Sequence, residues 1–248
     1  MTVTKEQLAN VTAQVFAAYN SGATPRDWSA SFVGSIASDR QWVKDINGAP
    51  APSCNFKFEL EHYLDREAIE NGTLSAMYVD VFTKAGNDGR AVRNNLVLST
   101  LKSASMFSDP HDRCKNMPMT QLNYTCMLAE MAHNGAKPTV IVVPWVLADM
   151  AKLCADITAP HHRHDGMLPT VEVVPELKDQ TTWFLFDTSD PNNLPLARRV
   201  KSERQFGPTF FDVENESTWS TREEFGYGYR TEQAIYTINP ARMMRLTA

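Results

Sequence analysis

The 248-residue chain has no long hydrophobic run, no basic surplus and no paired-cysteine motif, and each lack removes a class of function. Its longest apolar stretch, Val140 to Leu147, is eight residues long and contains Pro144. A bilayer span needs ~20 apolar residues, so no membrane role is expected. Lys and Arg number 24 against 29 Asp and Glu, a net charge of −5, which argues against a surface built to grip nucleic-acid phosphates. The first residues, Met1-Thr-Val-Thr-Lys-Glu6, carry charge at once and do not resemble a secretory signal. Cys54, Cys114, Cys126 and Cys154 stand far apart with no C-x-x-C pair, so they read as reduced thiols in a protein made in a cytoplasm. Without an export signal, the sequons at Asn71, Asn123 and Asn215 read as chance matches.

The catalytic inventory is as thin. There is no G-x-S-x-G elbow, Walker loop or H-E-x-x-H helix. Pro160-His-His-Arg-His-Asp165 is the one concentration of metal-capable side chains. His161 and His164 could share a metal with Asp165, or with His62, His111 or His133 from elsewhere, but neighbours in one loop do not make a tetrahedral set. A solvated loop is the competing account. Asp112, His111 and Cys114 are close in sequence only. Glu224-Phe-Gly-Tyr-Gly-Tyr-Arg230 has G-x-G without the third glycine or a strand-to-helix boundary, so it is no dinucleotide fingerprint. As a strand it puts Phe225, Tyr227 and Tyr229 on one face and leaves Gly226 and Gly228 bare on the other, where another strand can approach closely. No catalytic, cofactor-binding or metal-binding residue is assigned.

What is present is structure. With 43% apolar and 21% charged residues, the chain can bury roughly 70–75% of its unfolded surface as one large domain or two small ones. Leu8, Val11, Val15 and Tyr19 form a helical stripe ended near Gly22, either an arm that docks on something or a terminal helix packed on its own domain. Trp28–Val43, the turn-rich Asn47–Ser53 and the alternating Asn55–Leu64 read as a long hairpin whose free edges want a partner. Leu74, Met77, Tyr78, Val81 and Phe82, then Val92, Leu96, Val97 and Leu101, predict a long helical spine, bent or interrupted at Gly86-Asn-Asp-Gly89. Pro118 reads as the first residue of a Met-rich helix that Asn134-Gly135 ends. Strand 137–144, a helix from Pro144 to Cys154 and strand 170–174 form one α/β unit. Thr181-Thr-Trp-Phe-Leu-Phe-Asp187, charge-free until its last residue, reads as a strand buried on both faces, with Gly226–Tyr229 as a return strand beneath it.

The order of these pieces resembles the major capsid proteins of tailed phages, the Hong Kong 97-like fold, and within it the Mu-like phage major head subunit family. Three stretches carry the resemblance: Phe58-Glu-Leu-Glu-His-Tyr-Leu-Asp-Arg-Glu-Ala-Ile-Glu-Asn-Gly-Thr-Leu74; Pro138-Thr-Val-Ile-Val-Val-Pro144; and, in sequence, Thr181–Asp187, Phe211-Asp-Val-Glu-Asn-Glu216 and Gly226-Tyr-Gly-Tyr229. It covers about the last three-quarters of the chain. The resemblance implies an α+β fold with an N-terminal arm (1–23), an extended β-hairpin or E-loop (24–64), a peripheral domain with a spine helix (65–137), an axial α/β domain (138–220) and a return strand with the C-terminus (221–248). It implies a non-enzymatic subunit whose hexamers and pentamers tile an icosahedral shell around double-stranded DNA, assembled in a host bacterial cytoplasm and ending in a virion. The hairpin would reach over a neighbour and the arm, Met1 to Gly22, would brace another. Portal, scaffold and decoration proteins are the implied further partners, and DNA contact would be non-specific. An encapsulin-like or gene-transfer-particle shell is the alternative, and a metal-dependent α/β enzyme using the His161–His164 loop a third.

Overall fold

The computed structural model describes residues 3–21, 26–36, 56–103, 114–162, 169–208 and 223–247, with backbone alone at 114 and 157–162. In chain order these form α1 (Lys5–Ser21), a 3-10 turn at Trp28–Ser31, β1 (Val33–Ile36), β2 (Phe56–Asp65), α2 (Arg66–Glu70) and α3 (Ala76–Lys102). Then come β3 (Cys114–Asn116), α4 (Gln121–His133), β4 (Val140–Val143), a 3-10 turn at Trp145–Leu147, α5 (Ala148–His162), β5 (Thr170–Val173) and β6 (Trp183–Phe186). β7 (Leu196–Phe206), β8 (Glu224–Thr237), a 3-10 turn at Pro240–Arg242 and β9 (Met243–Thr247) complete the set.

Two compact units emerge, one from residues 1–26, 54–93 and 200–233, the other from 27–53, 94–199 and 234–248. Both are discontinuous in sequence, because α3, β7 and β8 each have residues in both.

The first unit is built around α1. Its start is a reciprocal cap: the Gln7 amide donates to Thr4 Oγ1 at 3.2 Å and the Thr4 amide to Gln7 Oε1 at 2.8 Å. Leu8, Val11, Val15, Ala18 and Tyr19 are buried against Ala68, Ile69, Phe82, Ala85, Phe225 and Tyr227. Gln7 Nε2 donates to the Glu70 carbonyl at 2.6 Å, and Gln14 bridges the Gly72 carbonyl and the Leu74 amide at 3.0 and 2.9 Å. The apolar stripe of α1 is therefore used within its own unit, the terminal-helix reading of the two offered by sequence.

In the same unit α3 runs through Gly86-Asn-Asp-Gly89 without the interruption that was one of the two expectations there. Both glycines serve close approach. A Cβ on Gly86 would lie 2.1 Å from the Tyr19 carbonyl oxygen, and one on Gly89 would touch the Tyr229 ring at 3.4 Å. Missing side chains here let α1 and β8 close onto the helix, and the helical ladder carries the two weak residues.

The second unit holds a five-stranded sheet ordered β3-β9-β6-β4-β5. β4 and β5 are parallel and flank α5 in sequence, the expected α/β unit, while β6 lies antiparallel between β4 and β9. Alternation with period two divides its side chains between two cores. Val140, Val142, Phe184 and Phe186 join Trp28, Phe32, Val97 and Leu101. Ile141, Val143, Trp183 and Leu185 join Tyr124, Met127 and Met131 of α4 and Ala151 and Cys154 of α5. With both faces covered, a strand needs no polar residue, hence the charge-free run that marks β6 as the middle strand. Asp187, where the run ends, accepts from the Lys137 amide at 2.8 Å and from Ser189 Oγ at 2.6 Å and pins that end.

Three further expectations change. Helix α4 begins at Gln121 with Thr120 as its cap, accepting from the Asn123 amide at 3.2 Å, so Pro118 lies ahead of the helix. The stems of the expected hairpin do not pair with each other among the described residues: β1 runs parallel to Leu196–Arg199, and β2 runs antiparallel to β8 over its whole length. Each stem pairs with a strand far along the chain. The tip, Asn47–Ser53, lies outside the described residues. Gly226–Tyr229 belongs to β8 and pairs with β2, in a different sheet from Trp183–Phe186. Its bare face is closed by the Phe206 ring, 2.2 Å from where a Gly228 Cβ would sit.

Candidate assembly surfaces

The residues singled out for metal chemistry do not converge among the described residues. His62 meets the Phe82 ring edge-on at 6.0 Å, and His133 is the last residue of α4. His161 falls in the last turn of α5, while His111, Asp112, His164 and Asp165 lie outside the described residues. Among the described residues no three His, Cys, Asp or Glu side chains come together to hold a metal. Cys126 is an exposed thiol, and Cys154 is a buried one whose pKa burial raises.

The surface carries more. Trp145, Val146, Met150 and Leu153 are 76, 59, 37 and 46% exposed. Spacings of four and three residues put Val146, Met150 and Leu153 on one face of the turn that opens α5. Ala151, Cys154 and Ala155 turn the other way and fill the core. The sequence had grouped Trp145, Leu147, Ala148, Met150, Ala151 and Cys154 as one apolar set. The structure divides that set, turning its small residues inward and its largest outward. The available signal was the spacing: Val146, Met150 and Leu153 recur at helical intervals beside the charged Asp149 and Lys152, apart from the stripe of Ala151 and Ala155.

Strand β2 offers a second, charged surface in the other unit. Across its register with β8, Arg230 Nη2 pairs with Glu59 at 2.8 Å, and Lys201 and Lys57 hold Glu232 from either side at 2.7 and 3.9 Å. The hydrogen bond from Lys201, and then the neighbouring cations, keep the Glu232 carboxyl below its ordinary pKa. Such exposed pairs fix register and repel wrong partners more than they stabilise.

No protein-family model matches the chain, and no curated protein matches it. Solved structures do. A virus-like particle protein from Pyrococcus furiosus superposes with a TM-score of 0.55 at 15% identity, covering 94% of this chain and 96% of that one. The chain has the Hong Kong 97-like fold. A protein of the procapsid of bacteriophage JBD30 gives a TM-score of 0.51 at 17% identity over 99% of this chain and 76% of that one. The holo-SrpI encapsulin complex of Synechococcus elongatus gives 0.52 at 8% identity over 90% and 87%. The Hong Kong 97-like fold thus embraces both described units, and its α+β class is the one expected from the sequence.

Proposed function

We propose that this chain is a shell-forming subunit, the major capsid protein of a tailed-phage head of the Mu-like type, and not an enzyme. Copies of it associate as hexamers and pentamers into an icosahedral shell around double-stranded DNA, formed in a host bacterial cytoplasm and retained in the virion. The observation that carries this reading is a shell-protein fold matched along nearly the entire length of both chains. The exposed Trp145–Leu153 cluster supports it. On this reading residues 1–23 are an arm folded onto the peripheral domain, 24–64 the E-loop, 65–137 the peripheral domain, 138–220 the axial domain and 221–248 the return strand. Portal, scaffold and decoration proteins are its other partners. The net charge of −5 suits a container that must release its DNA.

Purified protein, imaged by electron microscopy and sized by light scattering, should form rings or closed shells. A chain that stays monomeric at high concentration would overturn the proposal. Trp145→Glu with Met150→Glu should leave the melting temperature unchanged, since both side chains reach solvent, yet weaken association more than about tenfold, the worth of one buried large apolar side chain. Unaltered assembly removes this cluster from the interface. Deleting 47–53 should impair assembly more than folding, as read by particle yield against circular dichroism.

The second reading is an encapsulin-like compartment. One observation supports it: the encapsulin superposes over 90% of this chain and 87% of its own length with a TM-score of 0.52. Particle contents separate the two, since nuclease-protected DNA marks a phage head and packaged protein a compartment.

A further inference from the structure

A cleft in the first unit lies between the last turn of α1 and the middle of α3, with β7 and β8 as its other walls. Its volume is about 40 Å³. That is room for roughly three waters, or for one tetrahedral oxyanion in their place. Gly86 and Gly89 make it possible by bringing Tyr19 and Tyr229 close to the α3 backbone, and Arg90 and Arg93 follow one turn later as its cationic wall.

The guanidinium groups are not fully used. Arg90 donates through Nη1 to the Tyr19 carbonyl at 3.5 Å and through Nη2 to the Asn87 side-chain oxygen, both neutral acceptors. Among the described residues it has no carboxylate partner. Arg93 Nη2 pairs with Glu203 at 3.0 Å, and Glu203 also accepts from the Tyr229 hydroxyl at 2.5 Å. Nε of Arg90 and Nε of Arg93 are both buried without a hydrogen-bond partner. Two cations therefore face one carboxylate, with two buried donors spare. Burial, and then the like charge of Arg93, hold the Arg90 pKa below its ordinary value. The phenols of Tyr19 and Tyr229 are each pushed up to about 12, by burial first and then by Glu61 and Glu203 respectively. Both stay neutral at physiological pH and add no negative charge to oppose an anion.

We propose that this cleft binds one oxyanion of the phosphate class, held by charge-assisted hydrogen bonds from Arg90 and Arg93. The anion is either free inorganic phosphate or a phosphodiester group of a nucleic-acid backbone. The inference stands on the cleft alone and does not use the shell reading.

Titration calorimetry with inorganic phosphate tests it on the full-length protein, wild type against Arg90→Gln, Arg90→Lys and Lys152→Gln. Lys152 is an exposed lysine on α5, in the other unit, and removes the same charge elsewhere. Wild type and Lys152→Gln should bind one phosphate per chain with equal affinity, Arg90→Gln about tenfold or more weakly, and Arg90→Lys in between. A parallel titration with a short single-stranded oligonucleotide identifies the source. Oligonucleotide binding that phosphate displaces and Arg90→Gln weakens assigns the phosphodiester, and phosphate binding alone assigns the free anion. Absence of saturable binding by either ligand, or binding equal in Arg90→Gln and wild type, overturns the proposal. If Arg90→Gln fails to fold, a wild-type melting temperature that does not rise with phosphate overturns it as well. Shells that bind no phosphate would remove this inference and leave the assembly reading, and a monomer that binds phosphate would do the reverse.

Discussion

Alanine at Gly86 should lower the stability of the protein by about 2 kcal/mol or more, reversing the usual sign of a glycine-to-alanine change inside a helix. Propensity alone favours alanine by about 1 kcal/mol. The new Cβ, however, would sit 2.1 Å from the carbonyl oxygen of Tyr19 and 2.9 Å from its carbonyl carbon. Those are backbone atoms, so no rotamer change relieves the clash and α1 must shift bodily. Its position is held by buried Leu8, Val11 and Val15 and by the bonds from Gln7 and Gln14. Overpacking of this sort costs about 1–3 kcal/mol where side chains can yield, and more where they cannot. The urea midpoint reads the result. Gly135→Ala is the comparison: nothing lies within 4 Å of its Cβ position, and only its φ of +76° opposes the change. A loss of about 1 kcal/mol is expected there. A midpoint raised by Gly86→Ala would mean that α1 does not cross α3 this closely.

Truncating Trp183 to alanine should cost about 3–5 kcal/mol, enough to unfold much of the population of a protein of ordinary stability. The side chain is fully buried in the middle strand of the five-stranded sheet. Its ring lies 6.4 Å from that of Tyr124, and its indole donates to the Met117 carbonyl at 3.0 Å. Trp183→Phe separates the two contributions. It keeps most of the apolar contact but leaves the Met117 carbonyl without its donor, for an expected loss of about 1–3 kcal/mol. Denaturant titration of both variants checks the ranking, and equal losses would show that the hydrogen bond outweighs the packing.

Legibility in the sequence follows from how local each physical cause is. Val140–Val143 and Trp183–Phe186 were readable because burial on both faces removes every charge from a strand, a signature contained in the strand itself. The stripe of α1 was readable for the same reason, and so was the parallel pair around α5. Partner choice was not. The alternation from Phe56 to Leu64 states which residues share a face, but Glu224–Gln233 is far away in sequence and equally alternating, so nothing local says that those strands meet. Gly86-Asn-Asp-Gly89 misled because local propensity favours a turn, whereas tertiary contact with Tyr19 and Tyr229 asked for helix without side chains. Of the candidate surfaces, the outward Trp145 was hidden because it adjoins core-facing residues in one apolar set. The arginine cleft was invisible because Glu203, Gln205 and Tyr229 reach α3 only through the fold.

Strand β9 bears on when the protein can be finished. Met243–Thr247 is an interior strand, hydrogen-bonded on one side to β3 and on the other to β6. Phe225 and Tyr227 are likewise needed to close the core around α1. On the ribosome, the five-stranded sheet cannot complete its packing until the chain has been made to residue 247, nor the core around α1 until it has been made past Tyr227. A polypeptide released early would lack an inside strand and expose the flanks of β3 and β6 to proteolysis. Translation order thereby becomes a form of inspection, with residues 243–247 deciding whether the five-stranded sheet of a copy is fit to persist.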